Sequence, residues 1–188
     1  MLALKNHLIA YSDGSADNVK TKKGGYGIYM TFNNHTKTFS EPCKQQTSNN
    51  KMEIEAVNNV FINTKNTIYP VLIFMDSDYV YNCAIGNWKR KKNVDLWDKF
   101  EEITDDFEEK GGKFKFFIIE SHINIQNSTK VNQAYKKFVS KNTKENIAYL
   151  KSITDKSLKY VFTEILKGNH IADGAAYRAK SKAERKVS

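Results

Sequence analysis

Two cysteines and two prolines are all that 188 residues contain of either type. Cys43 and Cys83 cannot build a disulfide framework, and no Cys/His cluster has the spacing of a zinc site. A reducing, cytoplasmic setting is expected on that ground. Long apolar runs are missing too. The opening "MLALKNHLIAYSDG" holds too short an apolar segment for a signal peptide, and no stretch approaches membrane-spanning length. No membrane association is therefore expected. No stretch rich in Pro, Gly and Ser marks a linker, and no segment repeats. A single domain over residues 1–188 follows as the expectation, and its last few residues are expected to fray.

What is present suits a globular protein, with 40% hydrophobic residues, 11 Phe and 10 Tyr. The net charge of +9 is unevenly placed. Residues 1–122 are balanced, with 16 Lys/Arg against 16 Asp/Glu. Residues 123–167 carry nine Lys and three acids, and residues 174–188 carry five basic residues and one Glu. The excess thus lies in the C-terminal third. A polyanion such as nucleic acid is the natural partner, and a solvated lysine surface is the alternative.

Residues 7–13, 25–33 and 36–42 read as three strands, with Asn33-Asn34-His35 suiting a hairpin. "TSNNKMEIEAVNNVFIN" changes to helical period, placing Ala56, Val57, Val60 and Phe61 on one face together with Glu53. Ser48, Asn49 and Asn50 are good residues to start that helix. "VLIFMDSDY" is a short apolar strand ending in Asp76, of the kind covered on both faces. Helices are expected over 78–88 and along "NVDLWDKFEEITDDFEEKGG", and "KFKFFIIESH" reads as a fifth strand. The expected architecture is α/β: a five-stranded mixed sheet, three strands antiparallel and two reached by helical crossovers. Residues 123–167 then read as a basic helical insert of two or three segments, with Gly168 as a stop, although "VFTEIL" also fits a strand. Residues 169–185 form a last helix with Ala172, Ala175, Ala176 and Ala179 along one stripe and Asp173 beside it.

Three acids share a pattern. Asp13 ends the first strand, Asp76 ends the fourth, and Glu53 lies on the buried face of the helix between them. Each acid alone also fits an ordinary turn, cap or solvated position. If the first and fourth strands are neighbours, the carboxylates emerge together at one sheet edge, where ligands gather in such folds. Clustered carboxylates repel one another, and a divalent cation resolves that. Oxygen-only ligands favour Mg2+ or Mn2+ over zinc.

The segments "YSDGSA", "GGYGIY", "TSNNKMEIEAV", "FMDSDYVYNCAIGNWKRKKNVDLW" and "GNHIADGAA" resemble, in order, those of type 1 ribonuclease H. The resemblance covers residues 8–122 and 168–180. It implies the ribonuclease H-like fold and hydrolysis of the RNA strand of RNA/DNA hybrids, with 5′-phosphate and 3′-hydroxyl products. It implies Asp13, Glu53, Asp76 and Asp173 as carboxylates binding two Mg2+ ions, which Mn2+ can replace, and His122 as a mobile histidine assisting proton transfer or product release. It further implies substrate contacts by Gly14 and Ser15, by Asn49 and Asn50 in the minor groove, and by Ser48 at a DNA phosphate. Ser77 and Asn82 are weaker candidates. His170, three residues before Asp173, competes with His122 for the assisting role.

Two departures from the family pattern stand out. The basic, Trp-rich protrusion of many bacterial members is cut down to Lys89, Arg90, Lys91 and Lys92, and about forty-five residues replace the usual short loop before the last helix. The insert either takes over the hybrid contacts of the missing protrusion or is a decoration packed away from the site. Rival readings are an integrase, transposase or DEDD exonuclease of the same broad fold, a non-catalytic nucleic-acid-binding module, and a domain cut from a reverse transcriptase. "NNKMEIEAV" and "NVDLW" favour ribonuclease H, and four retained acids favour catalysis. The initiating Met and the polar basic tail favour a stand-alone protein, expected as a monomer. Reversing the charge of Lys136 and Lys137 should raise KM for hybrid if the insert carries contacts. An unchanged KM at low salt assigns the insert to decoration.

Overall fold

Glycine and alanine decide how the layers of this protein approach each other. The computed structural model describes residues 4–43 and 45–185. Its elements are β1 (Leu8–Ala16), β2 (Gly24–Phe32), β3 (His35–Cys43), α1 (Asn49–Asn63), β4 (Val71–Met75), α2 (Asp78–Ala84), α3 (Val94–Glu109), β5 (Phe114–Ile118), α4 (Ser128–Lys141), α5 (Lys144–Ser152) and α6 (Leu158–Arg185). The sheet runs β3-β2-β1-β4-β5. β1 is antiparallel to β2 and parallel to β4, so the expected mixed sheet is observed. The expectation about a frayed end concerns residues 186–188, which lie outside the described residues.

The period-2 alternation of the strands sorts side chains into two cores. Ile9, Tyr11, Leu72, Phe74 and Phe117 face one side, where they meet Phe138, Leu150, Phe162 and Ile165 of α4–α6. Ala10, Ile28, Ile73, Met75 and Ile118 face the other, against Ile54, Val60, Phe61, Trp97 and Phe100 of α1 and α3. Tyr11, Phe74 and Phe117 stack in sequence across three strands, with ring centroids 5.4 and 4.9 Å apart.

α6 lies closest to the sheet. Its small-residue stripe rests on β2, where a Cβ built on Gly27 would fall 2.4 Å from the Ala172 carbonyl oxygen, and one on Gly25 2.5 Å from the Ala179 Cβ. Only glycine opposite alanine permits that seat.

The structure corrects the boundaries in three places. α6 is one helix of 28 residues, and Gly168 does not stop it. The ring of Tyr11 occupies the space a side chain there would need, with Cζ 2.2 Å from a built Cβ. Gly168 is thus a packing glycine, and "VFTEIL" is helical. α2 ends at Ala84, short of residue 88, because Gly86 turns the chain at φ +77°. β1 also outruns its expected end and continues to Ala16 against β2.

The insert has a structural duty. β5 is an edge strand whose outward backbone groups need partners. Asn142 supplies two, accepting from the Ile118 N–H at 2.9 Å and donating to the Ile118 carbonyl at 2.8 Å. Asn146 donates to the Phe116 carbonyl at 2.9 Å. The junction of α4 and α5 therefore caps the C-terminal part of this edge with side-chain amides. Asn142→Ala strands buried polar groups, and should cost on the order of 3 kcal/mol. Urea denaturation should show a lower midpoint with an unchanged slope.

Candidate active site

The parallel pairing of β1 with β4 stops at Ser12 and Met75, while β1 goes on pairing with β2. The residues just past that point are Asp13, opposite Gly27, and Asp76. The sheet splits there, and the split gives two carboxylates room at the same level. Asp13 is therefore inside β1, not at its end.

Glu53 comes from the second turn of α1, whose start is held against β1. A Cβ on Gly14 would lie 2.2 Å from the Glu53 nitrogen, so the strand and the helix touch backbone to backbone. The Ser48 hydroxyl accepts from the Lys51 N–H at 3.4 Å, and the Asn49 side-chain oxygen accepts from the Ala16 N–H at 2.6 Å. One carboxylate oxygen from each of Asp13, Glu53 and Asp76 lies within 4.8 Å of the other two.

Asp173 arrives from α6, on the stretch seated over Gly27. It lines one cleft of about 360 Å³ with Asp13, Gly14, Ser15, Asn49, Glu53, Asp76 and His122. The four acids expected from the sequence thus meet in one place. The His122 Nδ1 lies 3.7 Å from an Asp173 carboxylate oxygen, and its side chain is 75% exposed. Its backbone takes φ +53°, a left-handed conformation uncommon for residues other than glycine. His170 is exposed on α6 and does not line the cleft, so the geometry favours His122.

Not every expected contact residue faces the cleft. Ser48 and Ser77 spend their hydroxyls on the N-termini of α1 and α2. Asn50 is exposed and does not line the cleft. Asn82 lines a neighbouring hollow with Asp78, Trp88 and Lys141. Lys141 of the insert lines the same hollow but is tied to Asp78, and Lys137 is tied to Glu120. Sequence reasoning missed three residues. Ser121 and Lys180 line the cleft, and the buried Asn169 donates to an Asp76 carboxylate oxygen at 3.2 Å. Asn169 did stand in the local pattern around Asp173, four residues before it on the helix, which was the available signal.

Charge is under tension here. Burial, then the charges of Asp76 and Asp173, push the Asp13 carboxyl up to about 8. Burial, then the charges of Asp13 and Asp76, raise Glu53 well above the usual carboxylate range. Burial also raises Asp76, and the amide of Asn169 and the nearby His122 oppose that shift. Mutual repulsion among buried carboxylates, with oxygen the only donor atom offered by the three acids, fits a hard divalent cation.

A dependence on pH follows. An unfolded Asp13 titrates near 3.8 and the folded one near 8. The folded chain therefore holds a proton that the unfolded chain has released, and this contribution to stability is complete below about pH 4 and lost as pH rises through about 8. In chelator, the melting temperature should fall between about pH 5 and about pH 8.5. Asp13→Asn should flatten that fall, and a divalent cation at the higher pH should restore the wild-type protein.

The profile of the RNase H family matches residues 5–181. A ribonuclease HI of Helicobacter pylori is 34% identical over 89 residues, which span 43% of this chain and 61% of that protein. A ribonuclease H of Pseudoalteromonas atlantica is 34% identical over 109 residues, spanning 51% of this chain and 69% of that one. Among solved structures, LC11-RNase H1 in complex with RNA/DNA hybrid is 25% identical, with a TM-score of 0.51 over 69% of this chain and 97% of that one. The PFV RNase H domain, 19% identical, shares the fold with a TM-score of 0.55 over 93% of this chain and 94% of that one. With its four acids gathered at the split between β1 and β4, the chain belongs to the RNase H family.

Proposed function

We propose that this protein is an endoribonuclease that hydrolyses the RNA strand of RNA/DNA hybrids, leaving 5′-phosphate and 3′-hydroxyl ends. The observation that carries the reading is the convergence of Asp13, Glu53, Asp76 and Asp173 in one cleft. Asp13, Glu53 and Asp76 would hold two Mg2+ ions, with Asp173 completing the set and Mn2+ able to substitute. Bound there, the metal pair supplies Lewis-acid polarisation of the scissile phosphate and stabilises charge on the attacking and departing oxygens.

The chain's own residues do the rest. Asn169 orients the Asp76 carboxylate through its amide. His122, exposed at the cleft mouth beside Asp173, is placed to take a proton from the attacking water at its imidazole nitrogen, or to deliver one to the departing 3′-oxygen. Asn49, Gly14 and Ser15 line the cleft where the minor groove of a hybrid would lie, and Asn50 follows Asn49 on α1. Specificity for hybrid then comes from shape and 2′-hydroxyls, with little reading of bases.

The charge pattern supports the same docking. α3 carries eight acids and one Lys. It packs on the face opposite α4–α6, where the positive excess lies. A polyanion is drawn to one side of the molecule. The same reading takes the working form as a monomer in the cytoplasm, where the free Cys43 and Cys83 suit a reducing milieu. Among the described residues, no helix is long and apolar enough to cross a membrane.

The test compares RNA/DNA hybrid, double-stranded RNA, single-stranded RNA and double-stranded DNA as substrates, with Mg2+ or Mn2+. Cleavage confined to hybrid and abolished by Asp13→Asn is the expected result. His122→Ala should slow turnover and leave metal affinity nearly intact. Equal cleavage of DNA would point to an integrase-type enzyme, and binding without cleavage to a non-catalytic module.

A further inference from the structure

Two turns beyond Asp173, on the same side of α6, stands Lys180. Seven residues advance a helix by about 10 Å, so Lys180 belongs to the cleft wall but not to the carboxylate cluster. Its side chain lines the cleft together with Ala16 and Asn49, and is half-buried. Its ammonium lies 5.0 Å from the centre of the Tyr177 ring. Among the described residues it has no carboxylate within ion-pair distance. Lys137 and Lys141 of the insert differ in this respect, since acids already match them.

The backbone of Lys180 is also held. A Cβ built on Gly25 would lie 2.8 Å from the Lys180 nitrogen, so the residue sits on the tightly seated part of α6. A cation on a rigid element, without a carboxylate partner and about two helical turns from the cluster, is preorganised for an anion that spans that distance. A nucleic-acid strand offers one, because it repeats its charge along the chain. With the scissile phosphate at the carboxylates, a phosphate further along the same strand would reach the wall lined by Asn49, Ala16 and Lys180.

We propose that Lys180 is a substrate-binding residue that contacts a non-scissile phosphate of the strand being cut. The proposal rests on the hybrid-hydrolase reading. The contact is to a phosphate and carries no base preference, so its loss should weaken binding uniformly across sequences.

The experiment measures binding of a short RNA/DNA hybrid to the Asp13→Asn protein in Mg2+, over a range of KCl, with and without Lys180→Ala. The slope of log Kd against log[KCl] should fall by about 1 on loss of the lysine, and Lys180→Arg should restore it. In the protein with Asp13 intact, Lys180→Ala should raise KM several-fold and leave kcat within about twofold. A purely structural lysine, or one that only offsets the field of the four acids, would leave the salt slope at its parent value. That result, alongside hybrid cleavage by the wild-type protein, overturns the proposal and spares the proposed activity. Absence of hybrid cleavage by the wild-type protein overturns both.

Discussion

The seat of α6 on β2 is the constraint on which the rest of this structure depends. Glycine at positions 25 and 27 and alanine at 172, 175, 176 and 179 bring helix and sheet backbones into contact. The consequence is catalytic as much as structural. Asp173 is remote in sequence from Asp13, and only the depth of this seat brings its carboxylate to the cleft that Asp13 lines. A methyl group on Gly27 would fall 2.4 Å from the Ala172 carbonyl oxygen, so α6, which carries the fourth acid, could not keep its present seat on β2.

The cleft is also where the fold works against itself. Burial and like charge raise three carboxyl groups, and the hydrogen bond from Asn169 is a partial answer to only one of them. A protein selected for stability alone would not gather these acids. Their retention in a chain whose cores are otherwise regular ties that cost to function.

Much of this was legible in the sequence, for physical reasons that differ from residue to residue. Asp13 and Asp76 each follow an apolar run, and Glu53 sits on a helix with an unambiguous period, so their convergence needed only the neighbourhood of β1 and β4. Asp173 depended on resemblance, because nothing local tells how α6 returns. Gly168 misled, since a glycine near a helix end and a glycine under an aromatic ring look alike until Tyr11 is placed. Ser48 is legible as a helix-starting residue and its hydroxyl does cap α1; the Ser77 hydroxyl likewise caps α2, because backbone N–H groups at helix starts compete for such oxygens. Lys180 left no signal beyond its spacing from Asp173, and Asn142 none at all. Its partners are main-chain groups of a distant strand, and backbone carries no side-chain identity to pattern against.

Asn142 and Asn146 bear on how copies of this protein can associate. By occupying the Ile118 N–H and carbonyl and the Phe116 carbonyl, they cap the outward side of β5 toward its C-terminal end. A strand from another copy would have to displace both amides to pair there. The insert thus disfavours strand addition along this part of β5 through two asparagines rather than through the charge around them.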